Sequence, residues 1–229
     1  MARSIGLKLL LLIPVVFLVS VATFMMTELL PGDPAIAILG ENATPEQIAA
    51  INEELGFNDP IVQRYIDWAG DALSGDLGRS IRSNQPVTEA FMERLPVTLQ
   101  LAIMAQVIAL VLAIPLGAWS AWRAGSKFDR GVSTFNFAII GLPSFLLGII
   151  LVYAFALKWQ IFPVTGWVRL TENVGENMKH AFLPALTLGL FEAAIYTQLL
   201  RSDMNATLQE DFVLSARARG LPSRHILLR

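Results

Sequence analysis

Four stretches of this chain run almost without charge for the length of a bilayer crossing, and that limits its possible folds more than any other feature. Residues 9–27 contain no Asp, Glu, Lys or Arg over 19 positions, 98–122 over 25 and 131–157 over 27, while 181–200 is interrupted only by Glu192. A spanning helix needs about 20 mainly apolar residues to cross roughly 30 Å of hydrocarbon. Inside a bilayer the backbone must satisfy its own polar groups, so runs of this length fold as helices. The chain is 54% hydrophobic and 16% charged, against about 25% charged in ordinary soluble domains, which excludes both a cytosolic globule and a disordered chain. Each run carries a proline within it: Pro14, Pro115, Pro143 and Pro184. In a soluble helix each would cost about 3 kcal/mol, but neighbouring helices and water re-satisfy the freed carbonyl in a membrane. All four are therefore expected to span.

Arg3 and Lys8 precede the first run, as they would a signal peptide. Its apolar length exceeds the usual 7–15 residues, however, and Glu28-Leu29-Leu30-Pro31 is no small-residue cleavage site, so a retained first span is expected. Lys and Arg then set the orientation. With the N-terminus cytoplasmic, inside segments hold ten basic residues in 45 positions, and the outside segments 31–97 and 158–180 hold seven in 90. The first outside segment also carries eleven acidic residues against four basic ones. An N-terminus inside and four crossings follow.

Chemistry is scarce. Cysteine is absent, and the two histidines, His180 and His225, stand 45 residues apart, so thiolate metal sites, a cysteine nucleophile and an H-E-x-x-H zinc site are excluded. No G-x-x-x-x-G-K-[ST] loop occurs, so ATP cannot be bound here in that way. An intramembrane enzyme would need a nucleophile–base pair or metal ligands, yet the spans offer one ionisable group, Glu192. Such a group is expensive at mid-membrane, about 2.5–3.5 kcal/mol on insertion scales, and is expected to face the bundle interior or a water-filled path. Gln106 and Asn136 are the candidate neighbours, either as hydrogen-bonding partners or as further lining of a solute path.

Residues 31–97 carry helix punctuation of their own. Thr44-Pro45-Glu46-Gln47 reads as an N-cap, a first-turn proline and a capping-box Gln, with Ile48, Ile51 and Leu55 on one face and Gly56 as the C-terminal stop. Asp59-Pro60 opens a second helix with Ile61, Tyr65, Trp68 and Leu73 at near-helical spacing, Gly75-Asp76-Leu77-Gly78 makes a turn, and a third short helix is expected over residues 87–95. Together they form a small helical cap on the outer membrane surface.

Residues 211–222, Asp-Phe-Val-Leu-Ser-Ala-Arg-Ala-Arg-Gly-Leu-Pro, read as a short cytoplasmic helix stopped by Gly220 and Pro222, with Arg217 and Arg219 complementing its C-terminus. Phe212, Val213 and Ala216 give it a compact apolar face that suits a groove on another protein; anionic lipid is the competing occupant.

These residues resemble the membrane subunit of bacterial ATP-binding-cassette importers for dipeptides and oligopeptides, the DppB/OppB-type permeases. The run from Asp211 to Leu221 matches that subfamily's form of the "EAA" coupling motif, with Leu214, Ser215 and Ala216 at the E-A-A positions and Gly220 as its glycine. Three further blocks agree: Leu30-Pro31-Gly32-Asp33-Pro34-Ala35; Glu54-Leu55-Gly56-Phe57 with Gly75-Asp76-Leu77-Gly78-Arg79-Ser80; and Arg94-Leu95-Pro96-Val97-Thr98-Leu99. Glu192-Ala193-Ala194 spells the motif in the wrong place. The resemblance implies an all-α, multi-span permease: a first span in 1–30, an extracytoplasmic cap over 31–97, spans 98–122, 131–157 and 181–200, and a coupling loop over 201–229. The family's last two of six spans would be missing, because the chain stops at Arg229. It also implies Asp211, Leu214, Ser215, Ala216, Arg217 and Gly220 as the ATPase-coupling residues, no cofactor in the chain itself, and ATP bound by partner subunits. Those partners are a second permease, two cytoplasmic ATPases, an extracytoplasmic binding protein and membrane lipid, with no nucleic acid. Location in the bacterial inner membrane follows. Nickel or another small solute is the alternative cargo, and a proton-coupled carrier working through Glu192 is the rival mechanism.

Overall fold

The computed structural model describes residues 2–29, 34–40, 43–54, 56–80, 83 and 85–220. Among them every regular element is helical, and the sole extended pairing is an isolated bridge between Arg79 and Pro86. Contacts divide the chain into two units, Met1–Leu95 and Pro96–Arg229.

The first unit holds α1 (Ala2–Glu28), α2 (Pro34–Leu39), α3 (Pro45–Glu54), α4 (Ile61–Ser74) and the first turns of α5 (Val87–Trp122). α1 runs unbroken through Pro14, and its described apolar stretch is Leu10–Met26. Leu10–Ile13 and Val15–Val19 are all more than half exposed within the chain, a surface suited to hydrocarbon and costly in water. α3 begins as its punctuation requires: the Thr44 N–H donates to Gln47 Oε1 at 2.9 Å and the Gln47 N–H to Thr44 Oγ1 at 3.4 Å. α4 packs on α1 through two aromatics. Tyr65 and Ser20 share a 2.8 Å hydrogen bond, and Phe17 and Phe24 meet the Tyr65 ring edge-on, with Trp68 beside Phe24. Of the four apolar residues at near-helical spacing on α4, Leu73 stands apart, 91% exposed. Eight residues from Tyr65 is a rotation of about 800°, roughly 80° past a full turn, which carries Leu73 off the shared face. Of the sequence blocks quoted above, residues 30–33 and Leu55 lie outside the described residues.

The second unit holds the rest of α5, α6 (Lys127–Gly141), α7 (Ser144–Leu151) with a π-helical continuation (Val152–Lys158), α8 (Val174–Thr207) and α9 (Asp211–Ala218). α5 and α8 are each long and apolar enough to cross a membrane. Both carry small residues every fourth position, a spacing that lines up one helix face. On α5 these are Ala105, Ala109, Ala113, Gly117 and Ala121; on α8 they are Ala181, Ala185, Gly189, Ala193 and Thr197, and all are buried. Small residues let backbones approach closely where no hydrophobic effect drives helices together. A Cβ on Gly189 would stand 2.9 Å from the Ala105 carbonyl oxygen, and one on Gly117 would stand 3.1 Å from the Thr197 carbonyl and Leu200. The two numberings rise together, so α5 and α8 run parallel.

Two sequence expectations are corrected here. The helix expected over residues 87–95 is not separate, because α5 continues from Val87 through Pro96 to Trp122. Proline removes a single backbone donor, and the following residues resume the ladder. The stretch 131–157, expected as one continuous span, is broken: α6 and the helix from Ser144 to Lys158 meet at a 106° bend. Pro143 explains the break. It has no N–H and disfavours the helical region for the residue before it, and Leu142 is extended at φ −87°, ψ 138°.

Despite the bend, the segment follows α8 along its length. Asp129 meets Arg201, Ile139 and Leu147 cluster with Ala194, Gly148 faces Thr187, Phe162 stacks on Phe182, and the Val168 carbonyl accepts from Asn177 Nδ2 at 2.7 Å. One numbering rises as the other falls, an antiparallel course in which the bent helices cover about 21 Å of α8, from Arg201 to Thr187, and the following loop residues Phe162 and Val168 extend it to Asn177 at 1.5 Å per residue.

Candidate functional site

α9 follows α8 with almost no slack. In the connecting turn the N–H groups of Leu208, Gln209 and Glu210 donate to Met204, Ala206 and Thr207, and the Val213 N–H donates back to Glu210. α9 buries Val213 and leaves Phe212 65% exposed. The expected face of Phe212, Val213 and Ala216 is therefore divided, since neighbours in a helix point about 100° apart. Phe212 and the half-buried Ala216, four residues apart, share the open side with Asp211 and Ser215 at its margins, both exposed. Arg219 Nη2 donates to Ser215 Oγ at 3.0 Å, tying that arginine to its own helix. Gly220 stands at φ +78°, a left-handed conformation that glycine adopts without strain and that ends a helix. The side chains of Leu214 and Arg217, and residues 221–229 with Pro222, Arg224 and His225, lie outside the described residues.

The three path candidates lie on three different helices, Gln106 on α5, Asn136 on α6 and Glu192 on α8. Gln106 Oε1 accepts from Tyr196 Oη at 3.4 Å across the α5–α8 interface. Asn136 is 2% exposed on α6, and its Nδ2 has no partner among the described residues; neither has Glu192 Oε2. Glu192 lies on α8 between Ala194 and Thr187, at the height of residues 139–148 and so of the break at Leu142–Pro143. Asn136 lies nearer the Arg201 end. An unpartnered buried polar atom is costly, and a wet cavity or a bound polar solute would satisfy both groups.

Sequence reading did not single out the polar contacts that hold these helices in place. Near one end of the α5–α8 pair, Gln100 and Asn177 hydrogen-bond through both side-chain amides. Near the other, the Asp129 carboxylate takes Arg201 through its Nε and through Nη2 at 2.9 Å, and also accepts from the Gly125 N–H at 2.8 Å. The Asp129 backbone N–H donates in turn to Ser126 Oγ. The spacing Ser126-x-x-Asp129 is a visible capping signal, but its long-range partner at position 201 is not.

Comparison with known proteins places these elements. Residues 113–229 match the family model described as "Binding-protein-dependent transport system inner membrane component", and residues 1–102 match its N-terminal companion, "Binding-prot-dependent transport system membrane comp, N-term". The probable peptide ABC transporter permease y4tP of Sinorhizobium fredii is 34% identical over 91% of this chain and 66% of its own length. The oligopeptide permease AppB of Bacillus subtilis is 33% identical over 100% of this chain, and the di/tripeptide permease DppB of Pseudomonas aeruginosa is 32% identical over 99%, each over 73% of its own length. The chain thus spans about two thirds to three quarters of the curated relatives it matches.

Proposed function

Because the chain belongs to the family of binding-protein-dependent transport inner membrane components, an integral membrane family of transport permease subunits, we propose that it forms part of the path by which an ATP-driven importer moves dipeptides or oligopeptides. Peptide cargo is carried over from the relatives' names. The observation that carries the mechanism is α9: an eight-residue helix with an exposed Phe212, joined to α8 by a short hydrogen-bonded turn.

In this reading four segments cross the membrane with the N-terminus inside. α5 and α8 run parallel, so the segment between them must return the chain to the side where α5 began. The antiparallel course along α8 supports reading it as one bent crossing. The first unit's α2 to α4 stand outside. α9 lies in the cytoplasm, where its Phe212–Ala216 side seats in a groove of an ATPase subunit. Asp211, Leu214, Ser215, Arg217 and Gly220 shape and terminate that contact. Hydrolysis belongs to two such partners and not to this chain. A second permease completes the path, and an extracytoplasmic binding protein delivers the solute. Movement of α9 on ATP binding tilts α8, and the polar groups at Glu192, Asn136 and Gln106 meet the solute as access alternates.

The test is uptake of radiolabelled trialanine into inside-out-free membrane vesicles containing the assembly purified through a tag on this chain. ATP supplied on the cytoplasmic side is expected to drive uptake with the proton gradient collapsed. Uptake that follows the proton gradient and ignores ATP overturns the reading in favour of a carrier.

A further inference from the structure

The Asp129–Arg201 pair stands apart from the coupling helix and from the path, yet it fixes three elements at once. Asp129 is 2% exposed. Its carboxylate grips the Arg201 guanidinium with two parallel bonds, the fork geometry in which arginine binds most specifically, and holds the Gly125 N–H of the α5–α6 turn. Its own N–H is capped by Ser126. One side chain therefore joins the turn after α5, the first turn of α6 and the end of α8.

Beyond this pair, the α6–α8 interface has no other directional fastening. Among the described residues it supplies the only side-chain hydrogen bonds between α6 and α8. Ser133 and Asn136 lie between Asp129 and Ile139 on α6, and Thr197 and Gln198 lie between Arg201 and Ala194 on α8. All four present a buried polar atom without a partner: Ser133 Oγ, Asn136 Nδ2, Thr197 Oγ1 and Gln198 Nε2. Among the described residues the directional hold between α6 and α8 is therefore concentrated at the Asp129–Arg201 end. From Arg201 to Thr207 α8 is helical, and in the turn into α9 the N–H groups of Leu208, Gln209, Glu210 and Val213 are hydrogen-bonded. A displacement of α9 thus has only a short, hydrogen-bonded turn to cross before it reaches the end of α8.

We propose that Asp129 and Arg201 are positioning residues for coupling: they make the α5–α6 turn move as one body with α8 and α9, so that a push on the coupling helix tilts α6 instead of slipping past it. This rests on the reading of α9 as the ATPase contact. The chain has no cysteine, so spin labels can be placed at Lys127 and Gln209, both exposed, without background. In the unaltered assembly the distance between them is expected to be single and the same in nucleotide-free and vanadate-trapped states. Arg201→Lys keeps the charge and loses the fork. It is expected to add a second distance population, and to lower trialanine uptake per ATP hydrolysed by about tenfold, within the range of coupling between sites, while ATP hydrolysis continues. Asp129→Asn with Arg201→Gln removes both charges together, leaves no unpaired ion, and is expected to show the same two changes if the lysine variant fails to insert. A single distance and an uptake-to-hydrolysis ratio within about twofold of the unaltered assembly, in either variant, overturns the proposal. If the unaltered assembly carries no ATPase, the coupling reading fails instead. The label distances then still report on the pair, and a second population in Arg201→Lys remains the expected result.

Discussion

Gly189 offers the sharpest test of how α5 and α8 meet. A methyl group placed there would lie 2.9 Å from the Ala105 carbonyl oxygen and from Ile108 Cγ2, and 3.0 Å from Ile108 Cβ. Ordinary carbon contacts lie at about 3.5–4.0 Å, so the helices must part by about 0.6 Å or the methyl must distort both. Two of the three obstacles, the Ala105 carbonyl oxygen and Ile108 Cβ, are fixed by the backbone and cannot swing aside. Overpacking of this kind costs about 1–3 kcal/mol, offset in part by the roughly 1 kcal/mol gained when Ala replaces Gly in a helix. Gly189→Ala is therefore expected to destabilise by up to about 2 kcal/mol, lowering the unfolding midpoint by up to about 8 °C for a chain of this size. Gly131, on α6 with nothing within 4 Å of the same methyl position, is the control; Gly131→Ala keeps the propensity gain without the collision and is expected to hold or raise the midpoint. Thermal unfolding of the purified chain in detergent, followed by circular dichroism, reads both. A midpoint for Gly189→Ala at or above that of the unaltered chain would show that the two backbones do not approach as described.

Single cysteines at Asn58 and Glu172 are expected to react with a membrane-impermeant maleimide added outside intact cells, and one at Gln209 only after permeabilisation; the reverse pattern refutes the orientation. Glu192→Gln is expected to reduce trialanine uptake with little loss of protein in the membrane, and unchanged uptake removes Glu192 from the path. Ala216→Asp places a carboxylate where a partner groove would desolvate it; ATPase co-purification is expected to fall while membrane insertion stays normal, and normal recovery refutes docking through that face. Gly220→Ala forces a side chain into φ +78°, at about 1 kcal/mol, and is expected to weaken the same co-purification less than Ala216→Asp does.

Much of this architecture is legible in the residues. Uncharged runs of bilayer length marked where helices had to form, and the Thr44–Gln47 pair and Gly220 marked where two of them begin and end. Periodicity also contained the α5 and α8 stripes, because small residues at every fourth position define a face. What it could not supply was long-range pairing. Nothing local to Asp129 names Arg201, and nothing local to Gln106 selects Tyr196 over Glu192. The prolines show the limit most clearly. Pro14, Pro96, Pro115 and Pro184 sit inside continuous helices, whereas Pro143 breaks one. Each loses the same donor, so the difference lies in whether the surroundings gain from a bend, and at Pro143 both arms of the bend rest on α8.

That elbow between α6 and α7 has a consequence for how the chain is made. Lys158, the end of the bent segment, leaves the ribosome 49 residues before Thr207, the end of α8. At roughly 5–20 residues per second, the interval is a few seconds. During that time the bilayer receives a long uncharged stretch that lacks the surface both of its arms will later lie on. Completion of the bend against its final neighbour is therefore expected to wait for α8. Faults in α8 would then surface as misfolding of a segment synthesised earlier, and a chain arrested before α8 emerges would present an unsupported hinge to the quality-control proteases of the membrane.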